Sequence, residues 1–185
     1  MSYEILPQRA ADEKKIETLL DRTFGPDRHD KTVYRLREGV EPLAGLCHVA
    51  VDEDGQLLAT LRFWPIAIGK LAAPAILFGP IAVEPSLQGK GIGRALLRNG
   101  LAEAKHLGHQ ICVLVGDPAY YGPYGFENAV ARRLRLPGPV EPERFQVFEL
   151  TPGALSGISG MIGKAGEPSA ASAPRAARRN QARPA

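Results

Sequence analysis

The sequence predicts an α/β domain, and three observations predict it. The apolar run Ala75-Ile76-Leu77-Phe78-Gly79-Pro80-Ile81-Ala82-Val83 reads as a buried strand; a glycine-rich turn follows, then Ala95 to Lys105 as a helix with Leu97, Leu101 and Ala104 on one stripe. Gln110 to Val115 is an unbroken apolar run, as expected of a strand covered on both faces. Upstream, Cys47–Val51 and Leu57–Trp64 flank Asp52-Glu53-Asp54-Gly55, the pattern of a hairpin. A chain of 185 residues, 44% hydrophobic and 23% charged, suits one soluble domain with a sizeable core.

In chain order, Tyr3 to Leu6 reads as a short first strand. Asp12 can cap the next helix, with Glu13 in its first turn; Ile16, Leu19, Leu20 and Phe24 share a face, and Gly25 ends it. Residues 30–39 read as a second, weaker helix on which Arg35 and Arg37 are read first as a solvated face and second as residues facing an acceptor. Trp64 followed by Pro65 marks a strand end or bulge. Gly108 is a good C-cap for the long helix. Arg132 to Leu136 and Phe145 to Leu150 read as closing strands. From Gly163 the composition turns to Ala, Pro, Ser and Arg without apolar periodicity. Residues 1–162 are therefore expected to form the domain and 163–185 a disordered tail.

Charge excludes less than the pI near 9.0 suggests. The tail carries +4 and the whole chain +3, so the folded part is close to neutral at −1. That is no general electrostatic footprint for nucleic acid. No apolar run is long enough to span a membrane, and the N-terminus lacks the basic-then-apolar pattern of a signal peptide, so a cytoplasmic protein is expected. Cys47 and Cys112 lie in apolar strand-like runs and read as buried reduced thiols. His29, His48, His106 and His109 are scattered, and no metal-ligand spacing is present.

The chemistry centres on Val83-Glu84-Pro85-Ser86-Leu87-Gln88-Gly89-Lys90-Gly91-Ile92-Gly93-Arg94. Three glycines at a strand-to-helix turn hold no Cβ against a ligand, and the free N–H groups and positive dipole end of the helix face the same space. That is an anion site, and phosphate is the usual anion. Lys90 and Arg94 add positive charge. The nucleotide fingerprints fail letter by letter. Gly-x-Gly-x-x-Gly would need a glycine at Leu96 or Arg94, and a P-loop would need one at Glu84 and Ser or Thr at Gly91.

What remains is Gln-x-x-Gly-x-Gly, filled by Gln88, Gly91 and Gly93, and here the sequence resembles the GNAT superfamily of acyl-CoA-dependent N-acetyltransferases. The resemblance implies that Gln88 to Arg94 cradle the coenzyme A pyrophosphate. It also implies a mixed, mostly antiparallel sheet flanked by helices, with the two closing strands as an antiparallel pair. A second match lies downstream, where Tyr121-Gly122-Pro123-Tyr124-Gly125-Phe126 fits the family's Tyr-x-x-x-Gly-Phe element. In many members that tyrosine protonates the departing coenzyme sulfur, which assigns Tyr121 as general acid. Many members also carry an Asn and a longer helix before the tyrosine; here the link is the short Gly116-Asp117-Pro118-Ala119, a compact form similar to small uncharacterised bacterial acetyltransferases. The resemblance covers roughly Tyr3 to Leu150.

Acetyl transfer to an amine sets its own requirements. The thioester carbonyl needs a hydrogen bond where negative charge develops, and a backbone N–H of Ile81-Ala82-Val83 supplies one if that strand splays from its neighbour; Pro80 and Pro85 bracket the segment and limit its pairing. A Lys-type amine with pKa about 10.4 must lose a proton, at a cost of about 4.6 kcal/mol at pH 7 without assistance. The leaving thiolate must gain one, and a neutral tyrosine can give it. Glu84, at the end of the central strand, reads equally as base or as an exposed strand-end residue, and Glu127 is a lesser candidate. The expected partners are acetyl-CoA as co-substrate and an amine-bearing acceptor, with a homodimer left open. The expected transfer is direct, because no cysteine sits where a ping-pong nucleophile would. Two other classes stay open: a non-catalytic acyl-CoA-binding module, and a nucleic-acid or partner-binding protein acting through the basic tail.

Overall fold

A computed structural model describes residues 2–166. Its core is a mixed sheet with strands in the order β1-β2-β3-β4-β5-β8-β6. β1 (Glu4–Pro7), β2 (His48–Val51), β3 (Leu57–Ile68) and β4 (Ala73–Val83) form an antiparallel series. β5 (Ile111–Val115) then joins β4 in parallel, after the crossover helix α3 (Ile92–His106). β8 (Phe145–Glu149) pairs antiparallel with β5 and with the two-residue β6 (Glu127–Asn128). This is the mixed, mostly antiparallel sheet expected of the sequence.

The helices divide between the two faces. α3 packs on one face because Leu96, Leu97, Leu101 and Ala104 fall on one stripe and are buried with Leu61, Phe63, Ile76 and Phe78. Gly100 sits mid-helix for a steric reason: a Cβ there would lie 2.6 Å from Leu61 and 2.8 Å from Phe63. α3 ends at His106, and Gly108, at φ +85°, closes it with N–H donated to Lys105 O while His109 N–H reaches Ala104 O. On the other face, α1 (Glu13–Phe24) buries Ile16, Leu19 and Leu20 against Val49, Leu57 and Ala82. α2 (Thr32–Arg37) follows a 3₁₀ turn over Pro26–Asp30 and buries Leu36 in a cluster with Ile66, Leu77 and Val113.

Several elements differ from expectation. Asp12 stands at the α1 N-cap but makes no cap; its carboxylate takes the Arg9 backbone N–H and guanidinium instead. Phe24 is half-exposed rather than core. β3 does not stop at Trp64-Pro65 but continues to Ile68. The backbone of Phe63 faces away from β4, since Leu43 donates to its carbonyl, and by alternation so does that of Pro65. No strand pairs with that edge between β2, which ends opposite Leu61, and the last strand, which begins opposite Ile66, so the missing proline N–H costs no ladder bond. The expected closing pair is also rearranged: β7 (Leu134–Arg135) runs parallel to β9 (Gly160–Lys164), while β8 pairs elsewhere.

β9 itself is the element the sequence hid. Gly163 and Lys164 pair with Ala67 and Ile66, and Lys164 Nζ donates to Glu38 O at 2.7 Å. The expected domain boundary at 162/163 therefore falls inside a strand, and the expected disorder of the rest of the tail lies outside the described residues. Two truncations separate these parts. A chain ending at Ile162 loses ladder bonds and a charge-assisted bond, roughly 1–2 kcal/mol. It should melt about 3–8 °C below the full chain. A chain ending at Gly166 should melt within about 1 °C of it, because an Ala/Pro/Arg-rich segment buries little apolar area. Equal melting of the two truncations would refute the role given to β9.

Candidate active site

β4 and β5 pair only at Ile76↔Cys112 and Leu77↔Val113, although β4 runs on to Val83. Beyond Leu77 that edge of β4 is open. On its other edge β4 stays paired to β3, with a register shift between Leu61↔Ile81 and Phe63↔Phe78 that leaves one extra residue at Gly79-Pro80. The bulge resets the side-chain alternation. Ile76, Phe78, Ile81 and Val83 thus all meet the α3 side, whereas Ala82 lies in the α1 cluster and Pro80 lines a cavity on the α1–α2 side.

Ladder parity assigns the backbone donors. Glu84 donates its N–H to Leu58 O at 2.8 Å, so Glu84 and Ala82 face β3. Ile81 and Val83 therefore present their N–H and C=O groups to the open edge. Gln88 Nε2 donates to Val83 O at 3.3 Å, consistent with that direction. Of the three residues read from the sequence as backbone contacts, Ile81 and Val83 can serve; Ala82 is turned away.

The glycine stretch sits beside this edge. Pro85–Leu87 makes one 3₁₀ turn, Gly89 and Gly91 adopt φ +79° and +91°, and Gly91 is the N-cap of α3. A Cβ at either glycine would meet nothing within 4 Å, so the space before the helix is open. The N–H groups of Ile92, Gly93 and Arg94 have no partner inside the helix. Lys90 and Arg94 are exposed and form no ion pair among the described residues. Gly93 permits a close approach: a Cβ there would lie 3.3 Å from Val83 Cγ2 and 3.4 Å from the Tyr120 hydroxyl. The donor set fits a pyrophosphate.

The tyrosines close the same side. Asp117 caps the short α4 (Pro118–Tyr121) by accepting from Ala119 N–H. Tyr121 lies edge-on to Phe78 and Phe126, with centroids 5.8 and 5.9 Å away, and under Gly116, where a Cβ would strike its ring at 2.2 Å. Its hydroxyl makes no hydrogen bond among the described residues. Burial, and secondarily Tyr120, pushes its pKa well above the ordinary tyrosine value. The Tyr120 hydroxyl is also pushed up, chiefly by burial. Tyr124 stacks at a tilt on Tyr120, with Arg98 over its ring.

The carboxylates look less like bases than the sequence allowed. Glu84 is ion-paired to Arg22 Nη2 at 2.8 Å on the α1 side of the sheet. Glu127 is paired to Arg132 at 2.8 Å. Cys47 and Cys112 are buried free thiols, and burial raises the pKa of both. Among the described residues no cluster of His, Cys, Asp or Glu could hold a metal, and no helix is long and apolar enough to cross a membrane.

Arg37 is the residue that sequence reasoning misplaced. It is buried rather than solvated, as are Arg28 and Arg62, and all three line the cavity on the α1–α2 side. The sequence offered no signal for this, because the partners come from α1, α2 and β3.

A sheet parted beside a glycine-rich helix start, with a half-buried tyrosine on the same side, defines a site with the donors to take a phosphate-bearing carrier. The comparisons give the family. The profile of the Acetyltransferase (GNAT) family matches residues 14–120. An N-acetyltransferase of Escherichia coli, YhbS, itself uncharacterised, is 35% identical over 147 residues, 80% of this chain and 87% of that protein. The solved structure of E. coli YhbS in complex with CoA superposes with a TM-score of 0.75 at 32% identity, covering 88% of this chain and 89% of that one. A GNAT family acetyltransferase from Brucella melitensis in complex with acetyl-CoA gives 0.62 at 31% identity, covering 82% and 90%. This chain belongs to the GNAT acetyltransferase family.

Proposed function

We propose that this chain moves an acetyl group from acetyl-CoA to a primary amine by direct transfer in a ternary complex. The observation that carries the reading is the convergence, on one side of the gap, of free backbone donors from β4, the α3 N-terminus and Tyr121. Gly89, Gly91 and the first N–H groups of α3, with Lys90 and Arg94, hold the pyrophosphate. The open-edge groups of Ile81 and Val83 hold the pantetheine arm and polarise the thioester carbonyl as its oxygen gains charge. The amine nitrogen forms the new bond to the acetyl carbon as the carbon–sulfur bond breaks. The sulfur leaves as thiolate and takes the Tyr121 hydroxyl proton, while the proton that the nitrogen sheds on becoming an amide passes to solvent, from which Tyr121 is reprotonated. Buried, high-pKa thiols at Cys47 and Cys112 support direct transfer over an acyl-cysteine route.

Glu84 is assigned here to position α1 against β4 through Arg22 rather than to remove the amine proton. Its carboxylate is already engaged by the Arg22 guanidinium, on the α1 side of the sheet and away from the α3 side where the donors converge. The neutral amine is then drawn from solution, so kcat/KM should rise about tenfold per pH unit below the amine pKa. Glu84→Gln should change it by less than about tenfold at pH 8; a loss beyond 10²-fold with CoA binding intact would return Glu84 to the role of base.

The test is thiol release from acetyl-CoA over an amine panel, with the acetylated product identified by mass spectrometry. Amine-dependent release supports the reading. Slow release that no amine accelerates would favour a non-catalytic acyl-CoA-binding module.

A further inference from the structure

On the side of the sheet opposite α3, a cavity of ≈ 390 Å³ opens between α1, α2 and β3 and reaches Pro80 at the β4 bulge. Three arginines in its wall are almost wholly buried: Arg28 at 3%, Arg62 at 4% and Arg37 at 8% exposure. Two of them are neutralised. Arg28 pairs with Glu17 and Asp21, and Arg62 with Glu13 and Glu17. Arg37 has no carboxylate partner among the described residues. Its guanidinium lies against the rings of Tyr34 and Trp64, 4.6 and 5.8 Å from their centroids. Its Nε is buried without a partner, and so is Nε1 of Trp64 in the same wall.

An unpaired buried guanidinium is costly, and a fold keeps one where something else completes it. Burial pushes the Arg37 pKa down to about 10, so it remains cationic at pH 7. Its Nη2 lies 3.6 Å from where a Cβ on Gly79 would stand, which places the charge beside the β4 bulge. From Gly79 to Ile81, two strand residues span roughly 6–7 Å. The charge therefore stands within about 10 Å of the backbone donors at the open edge.

We infer that Arg37, with the Trp64 indole N–H, binds an anionic group on the acceptor, so the preferred acceptor is a small primary amine that also carries a carboxylate, phosphonate or phosphate. The inference rests on the acetyltransferase reading for the amine and on the cavity alone for the anion. A planar guanidinium offers two parallel N–H groups to such an oxyanion, which a polyamine or a simple alkylamine cannot use.

Matched pairs test it. Thiol release is measured for 3-aminopropanoate, 4-aminobutyrate, α-amino acids and 2-aminoethylphosphonate, each against its amide or the alkylamine of the same length. In the unaltered protein the best acceptor should be anionic and should exceed its neutral match by roughly 30–1,000-fold in kcat/KM, the range found when a buried charge pair loses one partner. Arg37→Gln should erase that preference with CoA affinity unchanged, and Arg37→Lys should restore part of it. The carboxylate and phosphonate arms tell which oxyanion fits. A neutral amine that equals its anionic match overturns the inference, as does an equal loss on both in Arg37→Gln. Calorimetry with the same amines, in the presence of CoA, separates the two readings. Arg37-dependent binding of anionic amines without any transfer would sink the acetyltransferase reading and leave the anion site. Transfer indifferent to the anion would do the reverse, and absence of any anion-dependent signal in either assay also overturns the site.

Discussion

Tyr121→Phe should lower turnover by roughly 10²–10⁴-fold, the usual worth of general acid catalysis. The substitution removes one oxygen and keeps the ring that packs on Phe78, Phe126 and Gly116. Burial holds the hydroxyl protonated across neutral pH, which is the state a proton donor needs. The hydroxyl acts on the thiolate only as the carbon–sulfur bond breaks, so acetyl-CoA affinity should barely change. Calorimetry for affinity and thiol release for turnover read the two quantities separately. Tyr120→Phe and Tyr124→Phe are the controls. The Tyr120 hydroxyl approaches Gly93 and so lies by the helix start, where its loss should cost binding rather than turnover. A Tyr121→Phe variant nearly as active as the parent would reduce the residue to a wall of the acyl pocket.

Gly91→Asp should weaken coenzyme A binding by more than about 10²-fold while the fold persists by circular dichroism. The change sets a carboxylate in the open space before α3, at the positive end of the helix and among N–H groups that would hold phosphate. Gly91 has φ +91°, a conformation Asp tolerates better than most residues, so backbone strain is a minor part of the loss. Gly91→Asn carries the same shape without charge and should lose distinctly less. Equal losses in the two variants would mean that bulk rather than charge decides, and unchanged affinity in both would move the anion site elsewhere. Salt should partly rescue the Asp variant, since the added charge is solvent-exposed.

The elements that carry the proposed chemistry were legible because their signals are local. Three glycines within five residues, an amphipathic stripe after them and a buried apolar run before them specify a strand, an open turn and a helix without help from the rest of the chain. The tyrosine element is likewise a short continuous stretch. β9 was not legible: Gly160-Met161-Ile162-Gly163-Lys164 has two glycines and no alternation, and becomes a strand because β3 extends past Pro65 and offers it an edge. Pro65 stopped the sequence reading of β3 early because whether a proline costs a hydrogen bond depends on which edge its nitrogen faces.

Site assignment divided the same way. Helix-start glycines act through their own backbone, so their residue types reveal them. Glu84 and Arg37 act through side chains, whose meaning depends on partners far along the chain. Glu84 is tied by Arg22, sixty-two positions away. Arg37 sits on a short helix whose pattern reads as solvated, yet the packing of α2 over β3 puts it against Tyr34 and Trp64, while the glutamates of α1 go to Arg28 and Arg62. The sequence by itself determined the family, the order of the main elements and the open glycine-rich turn, because glycine conformation, amphipathic period and N–H direction are properties of neighbouring residues. Only the tertiary structure decided which backbone donors face the open edge, which carboxylates are already neutralised and which buried arginine is left without one, because strand register and ion pairing are settled between segments that meet only after the chain has folded.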